Sequence, residues 1–190
     1  MRKIVFDIET IGELRNGDLS QQEVTVVGIH DSKTNEYMSF TQAELPKLWP
    51  IFESADILIG YNSDHFDIPI LNKYYAGDLT KIKSVDILKE IRAVLGRRLK
   101  LDNIAEATLG KKKSGNGLEA QDWWRNGEFD RVRDYCLDDV KITKEVYDYA
   151  RKHKALKYRD YDGPRDIKLD TSKWEKIDEE GPSLTHTLPF

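Results

Sequence analysis

Cysteine and long apolar runs are the scarcest features of this 190-residue chain. Its single cysteine, Cys136, excludes an internal disulfide and a cysteine-based zinc cluster. No apolar run approaches the roughly 20 residues that span a bilayer. The basic start of the chain meets Asp7 too early for a signal peptide. We therefore expect a cytoplasmic protein with no membrane partner.

Charge, by contrast, is abundant. Charged residues make up 34% of the chain and hydrophobic residues 39%, which is typical of one domain with an ordinary core. The net charge is −4, whereas domains that bind nucleic acid are often basic. Two divalent cations held by carboxylates would cancel four negative charges. The balance is therefore compatible with local binding of nucleic acid.

Hydrophobic periodicity predicts strands first and mainly helices afterwards. Strand-like segments cover 3–9, 23–30, 36–40 and 56–61, and helical periodicity covers 41–54, 66–75, 86–95, 101–109 and 129–151. This order favours an α/β layer fold in which helices cover a mixed sheet. We predict one domain over residues 1–153 and a polar extension over residues 154–190 that wraps the domain or is partly mobile.

Five residues in three short blocks are candidates for one site. Asp7 and Glu9 leave the same face of a predicted strand, and apolar neighbours favour a buried pair over a solvated acidic edge. Asp67 begins a helix, where the helix dipole alone would explain a carboxylate. Tyr135 and Asp139 lie one helical turn apart, a spacing also common on ordinary amphipathic helices. Carboxylates gathered around divalent metal are the usual device for phosphodiester cleavage.

In this order the blocks resemble the DEDD (DnaQ-like) superfamily of 3′–5′ exonucleases, which includes the proofreading domains of DNA polymerases. FDIET is similar to the first motif, and GYNSDHFDIPIL to the second motif in family B DNA polymerases. YCLDD is similar to the third motif in its tyrosine (DEDDy) form, since the histidine subclass would have His in place of Asp134. The resemblance covers about residues 1–153. It implies a ribonuclease H-like fold with a mixed five-stranded sheet flanked by helices.

The resemblance also implies two Mg²⁺ or Mn²⁺ ions held by four carboxylates. Asp7 would bridge the ions, Glu9 and Asp139 would complete the site for the ion that carries the attacking water, and Asp67 would serve the other ion. Tyr135 would orient that water. The implied reaction releases nucleoside 5′-monophosphates from single-stranded or frayed DNA 3′ ends.

Four residues near these motifs are candidates for contact with the substrate. Thr10 could reach the terminal sugar or simply begin a turn. Asn62 and Phe66 flank Asp67, where an amide could touch substrate and an aromatic ring could pack beneath it, although core packing also explains Phe66. His65 could contact phosphate or be an exposed turn residue.

A cationic loop and an aromatic pair complete the candidates. Lys111, Lys112 and Lys113 could follow a nucleic-acid backbone, although charge runs are more often solvated loops. Trp123 and Trp124 could form a stacking surface. Adjacent positions rarely share a face, so at least one of the two is expected in the core.

Two alternative functions stay open. The same fold and metals could act on RNA, since recognition of a 2′-hydroxyl depends on pocket shape, or could cut particular nucleic-acid structures. A catalytically silent module that binds nucleic acid or protein would be expected to lose one of the five motif residues. No polymerase domain fits in the remaining residues, so we expect a stand-alone exonuclease or a subunit, with a replication or repair protein as its partner.

Overall fold

The centre of the computed structural model, which describes residues 1–14, 17–111 and 117–177, is a mixed five-stranded sheet. The strand order is β3–β2–β1–β4–β5, with antiparallel pairing from β3 to β1 and parallel pairing from β1 to β5. The strands are β1 (Lys3–Ile11), β2 (Glu23–Asp31), β3 (Glu36–Thr41), β4 (Ile57–Gly60) and β5 (Ser84–Asp86). The predicted α/β class and five-stranded mixed sheet are confirmed.

Helices cover both faces of this sheet. Within the described residues they are α1 (Leu45–Glu53), α2 (Asp67–Leu71), α3 (Ile87–Leu95), α4 (Leu101–Leu109), α5 (Gly117–Arg125) and α6 (Phe129–His153). A separate hairpin of β6 (Ala155–Asp160) and β7 (Gly163–Lys168) follows α6. In the part of the chain that the structure describes, no helix is both long enough and apolar enough to cross a membrane.

The side chains of β1 alternate between two apolar layers. Ile4 and Phe6 pack on one face with residues of α1 and α2. Val5 points to the opposite face and joins a core formed with α3, α4 and α6. Because side chains two positions apart share a face, Asp7 and Glu9 follow Val5 toward α6.

Helix α6 lies very close to the sheet where it crosses β2. Gly28 is the register partner of Asp7, and a Cβ added to Gly28 would lie 3.0 Å from both Cys136 Sγ and Val140 Cγ2. Such a separation is shorter than ordinary contact between apolar atoms. The missing side chain at Gly28 therefore lets α6 approach the sheet at the level of Asp7.

The helix predicted over 66–75 is wrong at its C-terminal end, because α2 ends at Leu71. Just beyond it, the backbone N–H groups of Lys73 and Tyr74 bond to the carbonyls of Ile70 and Leu71, three positions back, as in a tight turn. The side-chain oxygen of Asn72 accepts a hydrogen bond from the Leu79 amide at 2.9 Å. This contact stabilises a turn that helical periodicity does not anticipate.

The described part of the C-terminal extension packs on the domain core. Its buried apolar side chains are Leu156, Tyr158, Ile167, Leu169 and Trp174. The Trp174 ring stacks on Tyr147 at 5.5 Å, and Glu175 accepts hydrogen bonds from Tyr147 and Arg151. Neither strand of the hairpin was predicted, because charged residues interrupt its short apolar pattern. The division between residues 153 and 154 stays a prediction.

We expect Gly28→Ala to destabilise the protein, because the added methyl group would push α6 away from β2. Overpacking of this kind lowers the free energy of unfolding by about 1–3 kcal/mol, which chemical denaturation measures. Gly117→Ala is the matched control, since among the described residues its added Cβ would meet no atom within 4 Å apart from its own chain neighbours and helix backbone. Equal stability of the two variants would contradict the close-packing argument.

Candidate metal centre

Strand β1 and helix α6 bring three carboxylates into one cluster. Asp7, Glu9 and Asp139 each place a carboxylate oxygen within 4.8 Å of the others. Glu9 and Asp139 are buried, and Asp7 is half-buried. Asp138, one position earlier on α6, is exposed, as the rotation of about 100° per helical residue predicts. The strand face predicted for Asp7 and Glu9 and the helix face predicted for Asp139 thus face each other in the structure.

The chemistry of this cluster fits a divalent cation. Its donors are carboxylate oxygens, which hard cations such as Mg²⁺ and Mn²⁺ prefer. Burial, followed by the nearby Asp7, Glu9 and Asp139 carboxylates, raises the pKa of the Cys136 thiol well above its usual value. Carboxylates this close together repel one another, and a bound cation would relieve that repulsion. The cluster could therefore hold a metal ion.

Asp67 approaches β1 from a different direction and is not a member of the three-carboxylate cluster. Its side chain is 4% exposed at the start of α2. Burial raises the pKa of Asp67 to about 7 and the Asp86 carboxylate adds to the rise, while hydrogen bonding to the backbone N–H groups of Asp67 and Ile8 opposes it. Since Ile8 lies between Asp7 and Glu9, Asp67 is a fourth carboxylate beside the same strand.

A tight turn after β4 places Asp67 there. Strand β4 ends at Gly60, where an added Cβ would lie 2.5 Å from the Ser63 side chain. Asn62 has a left-handed backbone with φ 68°, a conformation that asparagine tolerates better than most residues. The Asn62 and Asp64 amides donate to the Asp86 carboxylate at 2.8 and 3.1 Å. The Asp86 carboxylate therefore fixes the conformation of this turn.

Asp86 is a residue of this region that the sequence analysis missed. It also caps α3, because its carboxylate accepts hydrogen bonds from the Leu88 and Lys89 amides at 2.9 and 3.2 Å. An aspartate directly before an apolar helix is a recognisable N-cap signal. Its second contact, with the turn after β4, has no signal in the sequence.

Tyr135 is held by an aromatic contact from α5. The Trp123 ring meets the 5%-exposed Tyr135 ring edge-on, with centroids 5.6 Å apart. The Arg131 guanidinium lies over Trp123 at 4.1 Å. Trp124 packs on Phe129 instead, and both tryptophans are half-buried against α6. Sequence reasoning did not identify Trp123 as the neighbour of Tyr135.

The four candidate substrate residues have different surroundings. Thr10 is buried, and its hydroxyl donates to Gln22 Oε1 at 2.7 Å. Phe66 packs against the core on the α1 and α2 side of the sheet. Asn62 and His65 line one cavity beside the turn, with His65 exposed. Asn62 and His65 are thus placed to meet a ligand in that cavity.

The cationic loop is described only at its first lysine. Lys111 donates to both carboxylate oxygens of Glu145, at 2.7 and 2.6 Å. Glu145 is six residues beyond Asp139 on α6, about 9 Å along the helix axis. Lys112 and Lys113 lie outside the described residues.

The chain belongs to the ribonuclease H superfamily, whose family model matches residues 4–151. Among solved structures it is similar to the family B DNA polymerase from the hyperthermophilic archaeon Pyrobaculum calidifontis, with a TM-score of 0.62 and 19% identity. The match covers 79% of this chain but only 24% of that polymerase chain, and it shows the fold. No curated protein sequence matches this chain. The family match confirms the ribonuclease H-like fold.

We expect Asp67→Asn to stabilise the metal-free protein at pH 8. The folded-state pKa of Asp67, about 7, lies above the ordinary value of 3.8. The stability that protonated Asp67 contributes is therefore fully present below pH 3.8 and is lost as pH rises from 3.8 through 7. Asparagine does not titrate and avoids the loss. Melting temperatures in EDTA measure the effect, and each kcal/mol corresponds to about 2–4 °C.

Asp64→Asn is the matched control for this prediction. It lies in the same turn, but its carboxylate pairs with Lys89 at 2.7 Å and accepts a hydrogen bond from Ser84 at 2.6 Å. We expect no gain in melting temperature at pH 8 from Asp64→Asn. If Asp67→Asn gained no more at pH 8 than at pH 5, the raised pKa of Asp67 would be refuted.

Proposed function

We propose that this protein is a metal-dependent 3′–5′ exonuclease that releases nucleoside 5′-monophosphates from single-stranded or frayed DNA 3′ ends. The observation that carries the proposal is the cluster of Asp7, Glu9 and Asp139 oxygens within 4.8 Å of one another. Tyr135 lies on the same helix one turn before Asp139. These residues match the first and third motifs of the tyrosine subclass in residue type and order, which supports the direction of attack.

Asp7, Glu9, Asp67 and Asp139 would hold two Mg²⁺ or Mn²⁺ ions. When bound, such ions lower the pKa of an attacking water and stabilise charge on the leaving oxygen. Asp67 approaches from α2 and the other three carboxylates from β1 and α6. This arrangement suits two metal ions bound side by side. The cytoplasmic location and a replication or repair partner remain predictions.

Tyr135 would orient the attacking water through its phenol. Its ring is buried and held edge-on by Trp123, so the hydroxyl has little freedom to move. The phenol donates or accepts a hydrogen bond without losing its proton, and it therefore need not titrate near neutral pH.

We expect stepwise shortening of 5′-labelled single-stranded DNA from its 3′ end in Mn²⁺, and none in EDTA. Asp7→Ala and Asp139→Ala should each lower the rate by at least about 100-fold, since even outer partners of metal ligands contribute about 10–100-fold. Asp138→Ala is the matched control, because Asp138 is exposed one position away. Normal turnover in Asp7→Ala would exclude the metal assignment.

The same assay with labelled RNA distinguishes the sugar that the enzyme accepts. Faster shortening of RNA than of DNA would make the protein an exoribonuclease. Internal cuts in branched or hairpin substrates would instead identify a structure-selective nuclease. Absence of cleavage together with absence of thermal stabilisation by Mn²⁺ would identify a silent binding module.

Tyr135→Phe should lower kcat by about 100-fold, at the lower end of the contribution of positioned acid–base groups. The variant keeps the ring against Trp123 and removes only the hydroxyl, so thermal stabilisation by Mn²⁺ should match that of the wild type. Rapid-quench kinetics and thermal melts with increasing Mn²⁺ measure the two quantities. An unchanged kcat would remove the phenol from the mechanism.

A further inference from the structure

A cleft leads away from Tyr135 along the side of the domain formed by α3. Two adjoining cavities of about 560 and 310 Å³ make up this cleft. Tyr135 borders the larger cavity and Arg92 the smaller, and the two share Asn62, Leu88 and Arg98 as lining residues. The cleft therefore joins the candidate catalytic tyrosine to a surface that the proposed chemistry does not use.

The larger cavity has an apolar and aromatic lining that is held in place. Tyr61, Leu88 and Leu99 contribute to it, and the Tyr61 hydroxyl donates to the Leu99 carbonyl at 2.9 Å. This hydrogen bond fixes the Tyr61 ring against the chain that leads into α4. Unpaired bases stack on aromatic and apolar surfaces of this kind without regard to sequence.

The rim of the cleft is mainly cationic. Arg92, Arg98 and Lys100 are exposed lining residues. The opposing carboxylates are those of Asp102, which is exposed, and of Asp64 and Asp86 in the smaller cavity. Lys89 also lines the cleft, but it forms an ion pair with Asp64 at 2.7 Å. An apolar floor beneath a positive rim is the combination that single-stranded nucleic acid requires.

Arg98 is the best-placed of these cations. Its Nη2 donates to Asn62 Oδ1 at 2.5 Å, its one hydrogen-bond partner among the described residues. Asn62 is itself fixed by the hydrogen bond that its backbone N–H donates to the Asp86 carboxylate. A guanidinium carries five N–H donors, so an anchored Arg98 keeps donors for a phosphate in the cleft.

We propose that this cleft binds the single strand upstream of the scissile phosphate, with Arg98 as a phosphate contact. The direction of the strand rests on the proposed exonuclease function. The chemistry recognised is the phosphodiester backbone, which DNA and RNA share. Arg98 would then increase affinity for a strand and would not act on a substrate that lacks upstream phosphates.

Arg97 provides a neighbour for comparison. It donates to Asp160 at 3.1 Å and lines a different cavity, beside Arg159 and Tyr161. Arg97→Ala and Arg98→Ala thus remove the same charge from adjacent positions that face different cavities. Arg92→Ala removes a cation from the far part of the cleft without disturbing Asn62.

The binding experiment measures fluorescence anisotropy of labelled 12-nucleotide DNA and RNA strands in EDTA, where cleavage is prevented. Arg98→Ala should weaken binding on the order of tenfold. The slope of its log affinity plotted against log salt concentration should be shallower by about 0.7 for each lost phosphate contact. Arg92→Ala should act in the same direction, and Arg97→Ala should match the wild type. Equal affinities and salt slopes for Arg97→Ala and Arg98→Ala would overturn the proposal.

The cleavage experiment separates this proposal from the exonuclease function. Arg98→Ala should raise KM for the 12-nucleotide strand by a much larger factor than KM for thymidine 5′-monophosphate p-nitrophenyl ester, with little change in kcat on either substrate. Equal losses on both substrates would overturn a role restricted to the upstream strand. If the wild type cleaves neither substrate but its binding depends on Arg98, the exonuclease function fails and the strand-binding cleft stands.

Discussion

The close approach of α6 to the central sheet is the constraint on which the candidate site depends. Carboxylates of like charge do not gather by attraction, so apolar packing around them must hold Asp7, Glu9 and Asp139 within 4.8 Å. Gly28 permits this approach because it leaves room for Cys136 and Val140 directly beside Asp7. Packing and chemistry are therefore coupled, since any change that moves α6 also separates the acids.

The second half of the site depends on the parallel strands. β4 ends at Gly60 while β1 continues to Ile11, so the chain leaving β4 turns beside the second half of β1. Asp86 holds that turn and caps α3 with the same carboxylate. One buried acid, Asp86, thus links the position of Asp67 to α3, the helix that borders the cleft proposed to bind the strand. The catalytic proposal and the cleft proposal share this support.

Much of the fold was predictable because its signals are local. The alternation along β1 and the four-residue spacing between Tyr135 and Asp139 follow from strand and helix geometry. The failures concern segments whose conformation depends on distant contacts. β5 has three residues, too few for a periodic pattern, and α2 ends early because Asn72 contacts Leu79. The C-terminal hairpin has few apolar residues, and these lie on the side that packs against the core.

The sequence by itself determined the residue types of the site, their order and the face of the element on which each lies. Local periodicity carries that information, because a side chain's direction depends on its own strand or helix. Only the tertiary structure decided that Asp139 meets Asp7 and Glu9, that Trp123 holds Tyr135, and that Arg98 and Arg97 face different cavities. The first two are contacts between residues far apart in the chain, and the third is a difference between two adjacent residues. All three arise from packing between helices and strands, which no local pattern encodes.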